Sequence, residues 1–266
     1  MLLSRAPRDA RLAPYIDAFW TCETSHGNEL ERVLPNGRTQ LFINLHEDAL
    51  HHYGVDGSVR QSASGMAVQG PMLKPTVIDR AEQRSLCGVL FSPGGAFPFF
   101  RGHLSEIGSD LADLDCLSWS DGWRTHECLQ MARAPQERLD LLEAAFLDRA
   151  PVADEWDLAV RKAGHLLRNG HRVHTVADQL NTTRQTLITR FRERTGMKPK
   201  TYCRIERFQH LIRTRSNAAS WADAAFDAGY SDQSHMAREF RHFGGITPTE
   251  YMPDRLSEPN HLPLRA

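Results

Sequence analysis

The chain has 266 residues, of which 41% are hydrophobic and 24% are charged, a composition typical of a globular protein with two domains. No stretch approaches the ~18 consecutive apolar residues of a membrane span, and no secretory signal is visible, so we expect a cytoplasmic protein. The cysteines are odd in number, far apart and without a C-x-x-C pair, which argues against a disulfide framework and a zinc knuckle.

Charge is distributed unevenly along the chain. Residues 155–255 carry 17 Lys and Arg against 11 Asp and Glu, a balance of +6, whereas the remainder carries 15 and 22, a balance of -7. A basic module joined to an acidic one is typical of a nucleic-acid binder with a separate control domain. A solvated face with the same imbalance is an equally good interpretation at this point.

The N-terminal part of the sequence predicts a β-rich domain. Turn signals such as Pro35-Asn36-Gly37 and Pro93-Gly94-Gly95 separate short apolar runs, among them residues 40–45 and 85–91. Several short strands with closely spaced turns predict an antiparallel barrel or sandwich.

Helical periodicity begins after this β-rich part. Apolar residues recur at three- and four-residue steps between Trp119 and Leu147, and they predict helices that either form a dimer interface or pack against the sheet. A polar linker follows Pro151. We therefore predict an α+β chain with a sensor or dimerisation domain at 1–150 and an all-α domain at 155–255.

Within the helical part, the pattern F-x4-G-x2-P-x2-Y occurs twice at an offset of 49. Its residues are Phe191, Gly196, Pro199 and Tyr202, and then Phe240, Gly245, Pro248 and Tyr251. Each copy follows a segment that predicts a short helix, a tight turn and a second helix, at about 173–194 and 221–243. Single helical hairpins often bind only each other, but two copies on a basic module favour a pair of DNA-binding helix-turn-helix units.

The turn and capping residues fit this interpretation. In the first unit Asn181 is suited to the turn and Thr183 to the N-cap of the second helix. In the second unit Gly229 can adopt the left-handed conformation, and Ser231 or Asp232 caps the following helix.

The helical spacing separates buried from outward residues. Leu187 and Phe191 predict the buried stripe of the first unit's second helix, and Met236 and Phe240 that of the second unit. The candidate base-reading residues on the outward faces are Gln185, Ile188, Thr189, Gln233, Ser234, Ala237 and Arg238. Arg and Gln can bond bidentately to guanine and adenine, and small or apolar groups can contact thymine methyl groups.

Basic residues around these faces are better suited to the DNA backbone. The candidate phosphate-contacting residues are Arg184, Arg190, Arg192, Arg194, Lys198 and Arg241. Arg and Gln are also ordinary solubilising residues on a helix surface, so their position near the recognition helices carries the prediction.

With these motifs the sequence resembles the AraC/XylS family of bacterial transcription regulators. The resemblance covers about 156–255 and is carried by residues 224–236, 238–241 and 245–248, and by Ala177, Leu180, Leu187, Phe191, Gly196 and Pro199. The stretch 202–208 is similar to the family's linker helix. The resemblance implies two helix-turn-helix subdomains that enter successive major-groove turns, ~34 Å apart. Ile188 and Thr189 depart from the longer polar residues common there, which favours methyl contacts or shape readout by the first helix.

The N-terminal half resembles the β-rich, cupin-like domains of such regulators through residues 32–37 and 88–96. The resemblance implies binding of a small effector and a homodimer, and it makes RNA polymerase a candidate partner beside promoter DNA. We expect no cofactor, no metal and no enzymatic activity.

Two alternatives remain at this point. His46, His51 and His52 form a metal-like cluster that would suit a cupin-type enzyme with a DNA-binding tail, although Leu50 stands where H-E-x-x-H requires histidine. The N-terminal domain could also hold a dimer together without binding a ligand.

Overall fold

The structure is a computed structural model, and it describes residues 2–24, 30–100, 107–108, 110–117, 119, 122–215, 218, 220–252 and 258–264. Its N-terminal half is built from two antiparallel sheets and its C-terminal half from helices, which confirms the predicted α+β class. The sheets form a sandwich-like pair and not a closed barrel, so the second of the two predicted β architectures is the observed one.

Strands are numbered in chain order. They are β1 (Leu2–Arg5), β2 (Ile16–Glu23), β3 (Leu30–Val33), β4 (Gln40–Asn44), β5 (Ala49–Tyr53), β6 (Val59–Ser64), β7 (Met66–Gln69), β8 (Thr76–Asp79), β9 (Ser85–Phe91), β10 (Leu111–Asp113) and β11 (His261–Pro263). The first sheet has the order β1-β2-β9-β4-β7-β10, and the second has the order β11-β3-β8-β5-β6. The last strand of the chain therefore joins a sheet of the N-terminal half.

Side chains alternate between the two faces of the first sheet, because successive residues of a strand point in opposite directions. Phe19, Val89 and Phe91 lie on one face and are fully buried in the N-terminal core. Trp20 and Leu90, their neighbours in sequence, line a cavity on the other face, toward the second sheet. Both faces of this sheet are thus covered.

Two helices, α1 (Gly122–Met131) and α2 (Pro135–Leu147), follow the strands of the N-terminal half. Leu139, Leu142 and Phe146 of α2 are fully buried, and the Phe146 ring lies 5.9 Å from that of Phe19 on β2. The apolar stripe that the sequence offered as either a dimer interface or a packing surface is therefore used against the sheet.

Six helices make up the C-terminal half of the described chain. They are α3 (Glu155–Arg168), α4 (Val173–Gln179), α5 (Arg184–Thr195), α6 (Pro199–Thr214), α7 (Trp221–Asp227) and α8 (Gln233–Gly244). Helix α6 crosses their core and contributes Ile205, Phe208 and Leu211, all with no exposed surface. Burial of each such side chain stabilises the fold by roughly 1.5–3 kcal/mol.

The two halves pack directly on each other at helix α6. Gly37 lies so close to it that an added Cβ would stand 2.7 Å from Cγ2 of Ile205. Gln209 donates a hydrogen bond to the carbonyl of Pro35, at 2.8 Å, and Leu34 is fully buried within the helical core. The Pro35-Asn36-Gly37 turn thus packs the β-rich half against α6.

In the described part of the chain, no helix combines the length and the apolar character needed to cross a bilayer.

Candidate nucleic-acid interface

Helices α4 and α5 form the first helix-turn-helix unit. Asn181 follows α4 with a φ of 49°, a left-handed conformation that Asn tolerates better than most residues. Thr183 then caps α5, because its Oγ1 accepts a hydrogen bond of 3.1 Å from the backbone amide of Thr186. The local sequence therefore ends one helix and starts the next within a few residues, as predicted.

Helices α7 and α8 form the second unit. Gly229 supplies the left-handed residue, with a φ of 75°. Of the two caps that the sequence offered, Asp232 is the one observed: it accepts a bond of 2.7 Å from the amide of His235, while Ser231 donates to Asp232. These hydrogen bonds hold the pKa of Asp232 below its usual range, and the bond from the His235 amide has the largest effect. The cap is thus ionised at the positive end of the helix dipole.

The repeated sequence pattern is also a repeated packing pattern. The ring centroids of Phe191 and Tyr202 are 5.4 Å apart, and those of Phe240 and Tyr251 are 5.5 Å apart. Gly196 ends α5 with a φ of 73° and its equivalent ends α8 in the same way. The copies differ after this point. Pro199 begins the 16-residue helix α6, whereas Pro248 begins only a short 3-10 turn of 3 residues.

The predicted base-reading residues lie in the first turns of the two recognition helices, α5 and α8. In α5, Gln185 and Thr189 are exposed and Ile188 is half-buried. In α8 the equivalents of Gln185 and Thr189 are Ser234 and Arg238, which are also exposed. The equivalent of Ile188 is Ala237, which is half-buried, and the adjacent Gln233 is exposed. Each set occupies positions three and four residues apart and so shares one helix face. Their role in reading DNA bases stays a prediction.

Five of the six predicted phosphate-contacting residues are exposed, namely Arg184, Arg190, Arg192, Lys198 and Arg241. The Arg190 side chain donates to Glu193 at 3.1 Å and its guanidinium lies 5.8 Å from the Trp156 ring. An exposed ion pair of this kind contributes little and is readily exchanged for another anion.

Arg194 does not fit the prediction that it contacts phosphate. Its side chain is only 4% exposed and forms ion pairs with Asp154 at 2.9 Å and Asp157 at 3.1 Å. Its guanidinium also lies 4.9 Å from the ring of Phe97 in the β-rich half. The reason is helical spacing: Arg194 continues the buried stripe of Leu187 and Phe191, so it faces inward. Its charge fixes α5 to α3 instead of meeting DNA.

Sequence reasoning missed the ion pair that holds the second recognition helix on α6. Arg204 donates to both carboxylate oxygens of Glu239, each at 2.8 Å. Burial alone would raise the pKa of Glu239, but the hydrogen bonds and charge of Arg204 lower it overall. A bidentate pair sets geometry as well as energy, so Arg204 fixes the orientation of α8 relative to α6.

The three histidines of the metal-like cluster do not converge. His46 is exposed in a loop, and Nδ1 of His51 lies 3.2 Å from a carboxylate oxygen of Glu82. His52, the next residue of β5, points to the opposite face, where burial lowers its pKa to about 4. The described residues hold no group of three His, Cys, Asp or Glu side chains placed to bind a metal ion. Side chains of a strand point alternately to its two faces, so His51 and His52 are neighbours in sequence but lie on opposite faces of β5.

A cavity of about 370 Å³ lies between the two sheets, and no sequence motif predicts it. Most of its wall is apolar, with Trp20, Phe42 and Leu86 from the first sheet and Leu50 and Ile78 from the second. Its volume falls within the roughly 300–1,000 Å³ typical of small-molecule sites.

Comparison with known proteins matches two parts of the chain. Residues 176–253 match a family described as a helix-turn-helix domain, and residues 4–112 match a domain of unknown function (DUF6597). No curated protein matches the sequence.

Solved structures of ToxT from Vibrio cholerae match most of the chain at low identity. One covers 88% of this chain and 97% of its own, with 12% identity and a TM-score of 0.47. ToxT bound to an unsaturated fatty acid gives 12% identity, 94% coverage of each chain and a TM-score of 0.46. ToxT bound to (E)-4-(8-methylnaphthalen-1-yl)but-3-enoic acid gives 12% identity, 91% and 99% coverage, and a TM-score of 0.48.

Proposed function

We propose, from the premise that the chain belongs to the AraC/XylS family of DNA-binding transcription regulators, that it binds promoter DNA sequence-specifically by placing α5 and α8 in successive major grooves. The observation that carries this proposal is the duplicated unit. Each copy has a capped recognition helix with a buried apolar stripe and an exposed polar face in its first turns. The family is generally non-enzymatic.

The two recognition helices would read bases by different chemistry. In α8, Arg238 and Gln233 can form bidentate hydrogen bonds to guanine and adenine. In α5, Gln185 is the residue with the same capability, while Ile188 and Thr189 are suited to thymine methyl groups. The exposed basic residues around both helices would bind phosphate and set the register.

We also propose that the N-terminal half controls DNA binding, with domains at 1–150 and 155–255. Several stretches of both ranges, residues 101–106 and 253–255 among them, lie outside the described residues. The cavity between the sheets supports control by a small effector, since a mostly apolar space of this size suits one. Control through a homodimer, and contact with RNA polymerase, are further parts of the proposal. A regulator of this kind would act in the compartment that holds the DNA.

Fluorescence anisotropy with the full chain tests the DNA-binding proposal. The labelled probe is the DNA upstream of the protein's own gene, and the control is a random duplex of the same length and base composition. At the same salt concentration we expect the upstream DNA to bind at least about a thousand-fold more tightly, the lower end of specific recognition. Equal affinity for both duplexes would contradict sequence-specific binding.

A further inference from the structure

The cavity between the sheets has a wall that is apolar on both sides. Trp20, Phe42 and Leu90 line it from the first sheet, and Leu50 and Ile78 line it from the second. Trp20, Phe42 and Leu90 alternate along their strands with buried residues of the N-terminal core, so the cavity lies on the other face of the first sheet. Apolar surface of this kind binds apolar ligands by the same burial that folds a core.

The charged groups of the wall are already paired with one another. Nη1 of Arg80 donates to Glu31 at 2.9 Å and to Glu258 at 3.3 Å, so one guanidinium faces two carboxylates. Burial would raise the pKa of Glu31, but His261 and Arg80 lower it overall, and Glu31 stays ionised. His52 is neutral near pH 7, because burial lowers its pKa to about 4.

This arrangement disfavours a charged ligand. A carboxylate ligand would be repelled by Glu31 and Glu258, and an ammonium group would have to compete with Arg80 for them. The remaining polar side chains of the wall are uncharged, among them Asn36, Gln40, Gln69 and Gln83. Such amides can donate to or accept from a hydroxyl or carbonyl group.

The C-terminal strand β11 completes one side of this wall. It pairs with β3, and hydrogen bonds of 2.8 Å from Leu34 to Asn260 and 2.9 Å from Leu264 to Leu30 extend the pairing on both sides. His261 lines the cavity, whereas Leu262, the next residue, is buried in the core of the helical half. One short strand thus contacts the cavity with one side chain and the DNA-binding half with the next.

The residue before β11 is bound to the linker helix α6. Gln209 donates to the side-chain oxygen of Asn260 at 3.1 Å, and the amide of Asn260 donates back to Gln209 at 3.3 Å. Gln209 is only 5% exposed and lies on the helix that joins the two helix-turn-helix units. A displacement of β11 would therefore act on the element that sets the spacing of α5 and α8.

We propose that this cavity binds an uncharged, mostly apolar small molecule with a hydroxyl or carbonyl group, and that β11 transmits its occupancy to α6. The proposal deepens the proposed function and rests on it, since the linker helix matters only to a protein whose two recognition helices bind DNA together. The uncharged ligand follows from the paired charges of the wall, and the transmission follows from the two-sided contacts of β11.

Calorimetry with three matched probes tests the ligand class on the full chain. The probes are 1-nonanol, nonanoate and nonylamine, which share a chain length and differ in charge. We expect 1-nonanol to bind at least about ten-fold more tightly than either charged analogue, a difference of about 1.4 kcal/mol. Tighter or equal binding of nonanoate or nonylamine, or no binding of 1-nonanol, would overturn the ligand class.

A filling substitution locates the site. Ala18 lines the cavity from β2, so Ala18→Phe should weaken 1-nonanol binding at least about ten-fold by occupying the space. Ala144→Phe adds the same ring at an exposed position of α2 and should leave binding unchanged. Unchanged binding by Ala18→Phe, with thermal unfolding confirming that both variants fold, would place the ligand elsewhere.

Transmission is tested by DNA affinity with and without saturating 1-nonanol. In the wild type we expect a change of about five-fold or more, the lower end of typical coupling between sites. Asn260→Ala should reduce the change to below about two-fold, and the exposed Asn169→Ala at the end of α3 should keep it. No change in the wild type, or an undiminished change in Asn260→Ala, would overturn transmission while leaving specific DNA binding intact.

A protein that fails to distinguish upstream from random DNA refutes the proposed function instead. Calorimetry still decides whether the cavity binds an uncharged ligand.

Discussion

The two helix-turn-helix units place different residues at one equivalent position. In the first unit Arg194 lies on the buried stripe of α5 and is paired with Asp154 and Asp157. In the second unit the equivalent residue is Phe243, which is 1% exposed and packs on Phe208 with ring centroids 5.4 Å apart. A buried ion pair fixes relative position at a cost in desolvation, whereas a buried ring contributes by apolar burial. The same fold is therefore anchored by charge on one side and by packing on the other.

Removal of these two anchors should give the largest effects. Arg194→Ala leaves Asp157 buried without its main cation and should lower the free energy of unfolding by about 3–5 kcal/mol. Phe243→Ala should cost a similar ~3–5 kcal/mol through the cavity it opens. Urea unfolding of both variants is the measurement, with Arg192→Ala as the exposed control, for which we expect a change within about 0.5 kcal/mol. A change of that small size in Arg194→Ala would show that the buried pair does not anchor α5.

The two recognition faces should differ next. Arg238 and Thr189 are equivalent residues, exposed on α8 and α5. Arg238→Ala should weaken binding by about 1–3 kcal/mol and relax specificity at one base pair, since a bidentate guanine contact is lost. Thr189→Ala should cost less than about 1 kcal/mol, because a methyl contact is weaker. Anisotropy on sites with single base substitutions measures both; equal losses would mean that the two helices read DNA in the same way.

The turns of the two units offer a smaller contrast. The left-handed residue is Asn181 in the first turn and Gly229 in the second. Gly229→Ala should lower the free energy of unfolding by about 1–2 kcal/mol, because a Cβ is strained in that conformation. Asn181→Gly should change it by less than about 1 kcal/mol, since relief of strain and the greater freedom of the unfolded chain oppose each other. A Gly229→Ala variant as stable as the wild type would contradict this.

The two recognition helices should respond differently to low pH, because only one of them has a cap that titrates. The pKa of Asp232 is lowered in the folded protein, so the stability it contributes is present above the unfolded value of ~3.9 and is lost as pH falls through the folded value. Thr183, the cap of α5, does not titrate. Hydrogen exchange between about pH 5 and pH 2 should therefore show α8 losing protection before α5. Asp232→Asn keeps a capping side chain without the charge and should remove the difference; persistence of the difference would assign it to another group.

The recognition helices could be predicted from sequence because their determinants are local. The spacing of Leu187 and Phe191, the cap at Thr183 and the turn at Asn181 all lie within a few residues of one another. The repeat even contained the sign that Arg194 is buried, since its equivalent is a phenylalanine.

Other features depend on partners far along the chain. Strand β11 has 3 residues and no periodicity of its own, and it exists because β3 offers an open edge. The cavity arises from residues of both sheets, and the charge pairing of Arg80 joins residues 31, 80 and 258. His51 and His52 are adjacent in sequence, but their side chains lie on opposite faces because both residues belong to one pleated strand.

The central claim is that α5 and α8 read two adjacent stretches of one DNA face. Methylation interference on the upstream DNA, compared between the wild type and Arg238→Ala, tests it most directly. We expect two major-groove windows about 10 base pairs apart in the wild type, and selective loss of interference at guanine in one of them in the variant. A single window, or a uniform weakening of both by Arg238→Ala, would contradict the claim.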